Sequence, residues 1–142
     1  VGVNNSMIYN KLFDNRSINK LNLMGYAFQN AKLYFDGKVV VTLLDSDSLS
    51  KFNAEKEDTS DIIGNLLSIK TVEVAVLLKE VEEGVKASLR SKYDFDVRKI
   101  AEMFGGGGHT KASGLMQKGV MLQIAKDNIL KAIESEIDLC KE

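Results

Sequence analysis

The sequence predicts an α/β (α+β) fold: a mixed β-sheet of about five strands flanked by helices, with a helical arm at the N-terminus. Three observations indicate this fold. Apolar residues recur with helical spacing over roughly the first thirty residues, extended segments then occur in pairs separated by turn residues, and an amphipathic segment ends the chain. With 142 residues, 44% of them hydrophobic, the chain can bury one core.

We expect residues 1–30 to form the helical arm or hinge and residues 31–142 to form the main domain. Asn5 or Ser6 can cap a first helix and Ser17 a second, because short polar side chains accept hydrogen bonds from free N–H groups at a helix start. The apolar residues with helical spacing are Ile8, Leu12 and Phe13 in the first helix, and Leu21, Met24, Phe28 and Ala31 in the second.

Two hairpins are expected in the middle of the chain. Asp36-Gly37 separates residues 32–35 from residues 38–44, and an Asp-Gly pair favours a two-residue hairpin turn. A turn at Glu82-Glu83-Gly84 separates the β-branched residues 72–81 from residues 85–91, which alternate between apolar and polar.

Helices are expected between and after these hairpins. Residues 45–52 form a polar connection with one helical turn, and Thr59 or Ser60 caps a helix that packs through Ile62, Ile63, Leu66 and Leu67. Asp96 caps a helix through Val97, Ile100, Ala101 and Phe104. Residues 113–116 are then a short strand, and residues 120–139 a helix with Ile124, Ile129, Ile133 and Ile137 on one side.

The residues Gly105-Gly106-Gly107-Gly108 lead directly into His109, the only histidine of the chain. Glycine loses more backbone entropy on folding than other residues, so such a run is favoured where the backbone must approach a ligand closely. Phosphate is the usual ligand of exposed N–H groups, and a histidine adds a side-chain donor. A flexible linker is the alternative, but its flanks would be rich in Ser and Gly.

The glycine run matches neither common nucleotide-binding motif. No Gly-Lys-Ser/Thr follows it, as a P-loop requires, and it follows a predicted helix, whereas the dinucleotide-binding motif opens one after a strand.

The strand at residues 85–91 would direct Lys86, Ser88 and Arg90 to one face and its apolar residues to the core. An ammonium, a hydroxyl and a guanidinium on one face suit an anionic ligand, because Arg binds phosphate oxygens bidentately. A solvated sheet face is the alternative for this stripe taken by itself.

Charge and composition restrict the partners. The net charge of −1 gives no general attraction for a long polyanion, so a nucleic-acid ligand should be short and bound locally. No apolar run approaches the roughly 20 residues that span a bilayer. The single Cys140 fits a reducing compartment, so we expect a cytoplasmic protein without membrane contact.

A metal site is not expected in this chain. His109 has no second histidine to join it, and Cys140 is remote in sequence. Metal sites usually need three or four protein ligands. Asp45 with Asp47 is only a weak indication of a cation site.

Several short motifs occur in a fixed order: Ser88-Leu89-Arg90-Ser91-Lys92, Asp96-Val97, Ile100-Ala101, Phe104 followed by the glycines and His109, and Ala112-Ser113-Gly114. Together they resemble the DHH-associated domain, the substrate-binding domain of DHH (Asp-His-His) phosphoesterases. The form of the motifs is most similar to the nano-RNase and pAp-phosphatase branch, the bifunctional oligoribonucleases. Ser113 is a departure, since a second alanine is usual there.

The resemblance implies that Arg90 and His109 bind phosphate, that Gly106, Gly107 and Gly108 supply N–H groups, and that Ser88 and Ser91 are supporting polar contacts. Lys92 is a weaker candidate. The resemblance also implies a preceding DHH catalytic domain that binds Mn²⁺ and activates water. This chain would bind short oligonucleotides or pAp without cutting them, since the metal-binding motifs do not occur in it.

Alternative functions remain open. The same domain could serve a cyclic dinucleotide phosphodiesterase or a single-strand exonuclease, or it could be a non-enzymatic nucleotide- or RNA-binding module. The chain opens at Val1 rather than Met, and we expect it to be part of a longer protein. A homodimer is compatible with the sequence, which does not determine the oligomeric state.

Overall fold

The computed structural model describes residues 17–56 and 58–140. Within them, helices flank a six-stranded mixed sheet, which confirms the predicted fold class and adds one strand to the number expected. The helices are α1 (Ile18–Gln29), α2 (Ser46–Lys51), α3 (Ser60–Leu67), α4 (Val97–Met103) and α5 (Leu122–Cys140). The strands are β1 (Lys32–Tyr34), β2 (Val39–Leu44), β3 (Val74–Val81), β4 (Gly84–Ser91), β5 (Gly107–Gly108) and β6 (Ala112–Lys118).

The strand order in the sheet is β1-β2-β3-β4-β6-β5. Only β2 and β3 pair in parallel among the described strands, and α2 and α3 lie in the connection between them. Both expected hairpins are confirmed. Asp36 and Gly37 have φ of 58° and 85°, and the Lys38 N–H donates to the Phe35 carbonyl at 3.2 Å. Positive φ at both central residues is typical of a two-residue type I′ hairpin turn.

The two faces of the sheet bury different cores. On one face, α4 and α5 pack on the apolar side chains of β4, including Val85, Ala87 and Leu89. On the other face, α1, α2 and α3 pack on β2 and β3. The second core stops at β3, because the side chains that β4 directs to this face are polar. This part of the sheet, formed by β4, β6 and β5, holds the candidate site.

Ser17 caps the start of α1, as predicted: its Oγ accepts a hydrogen bond from the Lys20 N–H at 3.1 Å. Of the residues with helical spacing in α1, Met24 is buried as such a stripe predicts, whereas Leu21 and Phe28 are not. Leu21 is 47% exposed and Phe28 38%, while the buried residues are Leu23, Met24 and Ala27. Apolar residues occur on more than one side of this helix, so spacing did not identify the side that faces the sheet.

Two other helix details differ from the expectations. Thr59 occupies the cap position of α3 but its side chain makes no capping bond; instead, the carboxylate of Asp58 accepts from the N–H of Ser60 at 3.0 Å. In α5, Ile124 is 50% exposed and Ala125 is buried in its place. The helix expected near Asn5 and Ser6 lies outside the described residues, and the boundary at residue 30 stays a prediction.

Candidate phosphate-binding site

Arg90 and His109 lie on one face of the sheet. Arg90 of β4 is opposite Ala112 of β6. His109 closes the β5–β6 hairpin with the same residue: the His109 N–H donates to the Ala112 carbonyl at 2.7 Å, and the Ala112 N–H donates back at 3.3 Å. Residues directly opposite one another in antiparallel strands direct their side chains to the same face. Ala112, which has a short side chain, therefore lies between the positions of Arg90 and His109 on this face.

A second row crosses the same face one step further along the strands. Ser88 is opposite Gly114, and Gly114 is opposite Gly107. Two of these three positions have no side chain, so the sheet here is a flat surface with the Ser88 hydroxyl at one side. Gly107 and His109 are exposed, and Ser88 and Arg90 are half-buried.

The Arg90 guanidinium is available to an anion. Its Nη1 donates to the carbonyl of the preceding Leu89 at 3.0 Å, and its guanidinium makes no other hydrogen bond within residues 17–56 and 58–140. No carboxylate oxygen of residues 17–56 and 58–140 lies within 4 Å of it. Arg90 acts on Asp58 only through a longer-range field: hydrogen bonds from Ser60 lower the pKa of Asp58, and Lys20 and then Arg90 contribute in the same direction.

Ser91 is on the opposite side of β4 from Arg90 and is not on the open face. Its side chain is 5% exposed. The hydroxyl lies 2.7 Å from the Phe95 carbonyl and 3.3 Å from the Thr110 carbonyl. The Ser91 N–H donates to the Lys111 carbonyl at 3.0 Å. Ser91 thus anchors the turn that carries His109 and has no hydroxyl free for a ligand.

The first two glycines of the run end α4. The N–H of Gly106 donates to the Ala101 carbonyl at 2.8 Å and that of Gly105 to the Glu102 carbonyl at 3.1 Å, the bond pattern of a Schellman cap. The φ of Gly105 is 79°. A Cβ on Gly106 would collide with the carbonyl oxygen of Gly114 and lie 2.9 Å from Leu115 Cα. The N–H of Gly106 is therefore used within the chain.

The last two glycines form β5 at the edge of the sheet. In antiparallel strands, opposite residues alternate between pairs that exchange backbone hydrogen bonds and pairs whose N–H and C=O groups point away from each other. Because His109 and Ala112 are a bonded pair, the Gly108–Ser113 pair is non-bonded, and the Gly108 N–H points outward from the edge. Gly108 has φ 143°, and a Cβ added there would lie 2.6 Å from the Ala112 carbonyl oxygen, which is too close for any other residue. A Cβ added to Gly107 would have no atom within 4 Å. Packing within the described residues therefore does not require a glycine at this position.

A cleft of about 380 Å³ continues from this surface toward the start of α3. Ser88 and Arg90 line this cleft together with the segment from Asp58 to Ser60. Lysines from three segments complete it: Lys56, Lys79 and Lys86. Sequence reasoning identified Lys86 on the anion-binding face but missed Lys56 and Lys79. The signal for Lys79 was present, because a hairpin across Glu82-Glu83 sets Lys79 opposite Lys86.

Lys92 has a structural partner. Its ammonium donates to the carbonyl of Leu67, the last residue of α3, at 2.9 Å and to that of Ile69, just beyond the helix, at 3.0 Å. In the part of the chain that the structure describes, no group of three or more His, Cys, Asp and Glu side chains is placed to hold a metal ion. None of the described helices is long and apolar enough to cross a membrane.

Relatives of known name align with most of the chain. The protein named bifunctional oligoribonuclease and PAP phosphatase NrnA from Thermus thermophilus is 34% identical over 115 residues, which are 81% of this chain and 34% of the relative. Its namesake from Bacillus subtilis is 30% identical over 137 residues, which are 96% of this chain and 41% of the relative. The chain thus spans well under half the length of either relative.

Solved structures and a family model complete the comparison. An exopolyphosphatase-related protein from Bacteroides fragilis has a TM-score of 0.86 at 35% identity, and the match covers 99% of this chain and 42% of that one. A pGpG-specific phosphodiesterase from Vibrio has a TM-score of 0.63 at 10% identity, over 95% of this chain and 44% of that one; this likeness concerns the fold alone. The DHHA1 domain model matches residues 36–138. The chain belongs to the DHHA1 domain family, as its motifs indicated.

Proposed function

We propose that this chain is the substrate-binding domain of a phosphodiesterase and phosphatase that hydrolyses short oligoribonucleotides and pAp. The observation that carries the proposal is the shared face of Arg90 and His109, with Ala112 between them. A phosphate placed over Ala112 would receive charge-assisted hydrogen bonds from the guanidinium and a bond from the imidazole. The names of the curated relatives support this substrate class.

The glycine surface supports the same ligand. With no side chain at Gly107 or Gly114, a phosphate or ribose can approach the backbone closely beside the Ser88 hydroxyl. The outward N–H of Gly108 is a further donor at the edge. We therefore retain Ser88, Arg90, Gly107, Gly108 and His109 as ligand contacts. Gly106 and Ser91 hold the surface in place.

The reaction itself belongs to another domain in this proposal. We propose that a preceding DHH domain binds Mn²⁺ and activates water, while the DHHA1 domain holds the phosphate that fixes the substrate's position. Without its catalytic partner, the DHHA1 domain would bind nucleotide but would not hydrolyse it. We place the protein in the cytoplasm, where a lone thiol such as Cys140 stays reduced.

The test titrates pAp and a 5′-phosphorylated diribonucleotide into the protein in which this chain follows its catalytic domain, by calorimetry. Arg90→Ala and His109→Ala should each lose about 1.5 kcal/mol or more of binding free energy, since each removes a hydrogen bond to a charged group. Lys131→Ala is the matched control, because Lys131 is exposed on α5, on the other side of the sheet. Unchanged affinity in both site variants would contradict the assignment of the site.

The rate of hydrolysis distinguishes binding from other roles. Both variants should lower kcat/KM for the diribonucleotide, whereas the control should not. Absence of any manganese-dependent hydrolysis by the protein would instead favour a non-enzymatic nucleotide-binding module.

A further inference from the structure

The cleft beside the proposed phosphate site carries a concentration of positive charge that the chain's overall charge does not suggest. Lys56, Lys79, Lys86 and Arg90 line it, and Asp58 is the only carboxylate residue among the described lining residues. The whole chain, by contrast, has a net charge of −1. The Asp58 carboxylate is already engaged by the N–H and hydroxyl of Ser60, at 3.0 and 2.8 Å.

Two of these cationic residues are opposite one another on neighbouring strands. Lys79 of β3 and Lys86 of β4 are opposite one another in the antiparallel register, so their side chains share a face. Like charges directly opposite on neighbouring strands destabilise a sheet. Burial lowers the pKa of Lys79 below its ordinary value, the Lys86 ammonium lowers it further, and Glu55 acts in the opposite direction.

Nothing in the described residues neutralises this pair by direct contact. The Lys79 ammonium donates to the backbone carbonyl of Glu55 at 2.5 Å, which is a bond to a neutral group. No carboxylate oxygen of residues 17–56 and 58–140 lies within 4 Å of Lys56, Lys79 or Lys86. An anion between Lys79 and Lys86 would turn the repulsion into attraction.

We infer that Lys79 and Lys86 form a second phosphate subsite, which binds another phosphate of the ligand held at Arg90. The inference rests on the proposed function and deepens it, because it assigns the second phosphate of the same ligand to two named residues. Lys86 and Arg90 are four positions apart on β4, which is roughly 13 Å along an extended strand. Two phosphates of one ligand can therefore be bound at the same time, one beside each residue, and Ser88 lies halfway between them on the same face.

Lys56 adds to this subsite from the segment before α3. It lines the same cleft and is exposed, so its ammonium can contact the part of the ligand that extends toward solvent. The cleft thus orders the ligand: one phosphate at Arg90 and His109, a linking sugar near Ser88, and the next phosphate between the lysines.

The experiment measures the affinity of the full chain for 5′-AMP and for a 5′-phosphorylated triribonucleotide, with Lys86→Gln, Lys86→Arg, Arg90→Ala and the control Lys131→Gln. Lys86→Gln should weaken triribonucleotide binding about tenfold and leave AMP binding unchanged. It should also make the dependence of log K on log salt shallower by about 0.7, the slope of one phosphate contact on a single strand. Lys86→Arg should retain affinity, and Arg90→Ala should weaken both ligands.

The thermal stability of the free protein gives an independent readout. Lys86→Gln removes the repulsion with Lys79, so the variant without ligand should unfold at the same or a higher temperature than the unaltered chain. A variant that simply damages the fold would do the opposite, and that result overturns the inference.

The two proposals fail in different ways. If Lys86→Gln binds the triribonucleotide as tightly as the unaltered chain while Arg90→Ala weakens both ligands, the second subsite is wrong and the first stands. Equal weakening of AMP and triribonucleotide by Lys86→Gln also overturns the second subsite. If the unaltered chain binds neither ligand, both proposals fall.

Discussion

Single glycines of the Gly105–Gly108 run have different roles, and substitution can separate them. Gly106→Ala forces a Cβ against the backbone of β6 and should destabilise the fold by about 1–3 kcal/mol, as overpacking does. Gly107→Ala places its methyl over the open face with nothing within 4 Å. It should keep or slightly raise the free energy of unfolding and weaken pAp binding. Denaturant unfolding and calorimetry on both variants check this pair. Loss of stability in Gly107→Ala would show that the position is structural.

Ser91 offers a second prediction at this scale. Ser91→Ala removes a buried hydroxyl that bonds to the carbonyls of Phe95 and Thr110. The cost should be about 1–3 kcal/mol, because the carbonyl of the buried Phe95 loses its bond from Ser91, while the Thr110 carbonyl keeps the bond from the Val97 N–H. The amides around His109 should also exchange hydrogen faster, since the turn loses an anchor. Ser135→Ala, an exposed hydroxyl in α5, should change neither. A Ser91 variant with unaltered stability but lost ligand binding would restore Ser91 as a direct contact.

Individual residue roles were harder to predict than the site as a whole. Chemistry and motif predict Arg90 and His109 as phosphate ligands, and this assignment stays a prediction. That Gly106 and Ser91 are internal depended on which side of a strand or loop each backbone group faces. The N–H of Gly106 is used by a helix cap that forms only once α4 has ended there, and no spacing rule reveals this.

At the scale of elements, the start of α3 depends on Asp58. Its folded-state pKa is lowered, chiefly by the backbone bond from Ser60 and next by the Ser60 hydroxyl. The stabilisation is therefore present above the carboxyl's unfolded pKa and is lost as the pH falls through the lower folded value. Asp58→Ala should destabilise the protein by about 0.5 kcal/mol at neutral pH, at the low end for a cap because the side chain is exposed.

The pH profile of unfolding checks that prediction. The difference between Asp58→Ala and the unaltered chain should shrink below about pH 4 and vanish in stronger acid. Glu134→Ala, which removes an exposed carboxylate of α5, should show no such convergence. A difference that persists at low pH would mean that the carboxylate's charge is not the cause.

Local turn chemistry predicted the elements well, and helix packing faces were predicted less well. The Asp36-Gly37 and Glu82-Glu83 turns are specified by adjacent residues, so both hairpins could be predicted directly. The buried side of α1 is decided by the distant strand β2, where the Thr42 hydroxyl bonds to the Ala27 carbonyl at 2.7 Å. β5 was missed because two glycines have low strand propensity and pair only through the closed hairpin at His109.

For the molecule as a whole, we expect the charge distribution to limit the length of ligand that gains affinity. The cationic cleft runs from Arg90 to the Lys79–Lys86 pair, while the chain's net charge is −1. Affinity should rise as a 5′-phosphorylated oligoribonucleotide lengthens enough to span the cleft and should then stay constant, with a constant salt slope. Fluorescence anisotropy over a length series checks this. A continued rise would require a longer basic track.

The strand order could not be predicted from the sequence. Parallel pairing of β2 with β3 joins segments separated by two helices, and such non-local pairing leaves no periodic signal. The cleft was missed for the same reason. Lys56 comes from the loop before α3, and only the packing of that helix on the sheet brings it toward Lys86.

The outermost strands, β1 and β5, are the shortest in the sheet, with three and two residues. Each edge of the sheet therefore offers few unpaired backbone N–H and C=O groups to a strand from a neighbouring chain. Growth by strand addition is thereby blocked at both ends. The glycine border at β5 therefore stays open to small ligands.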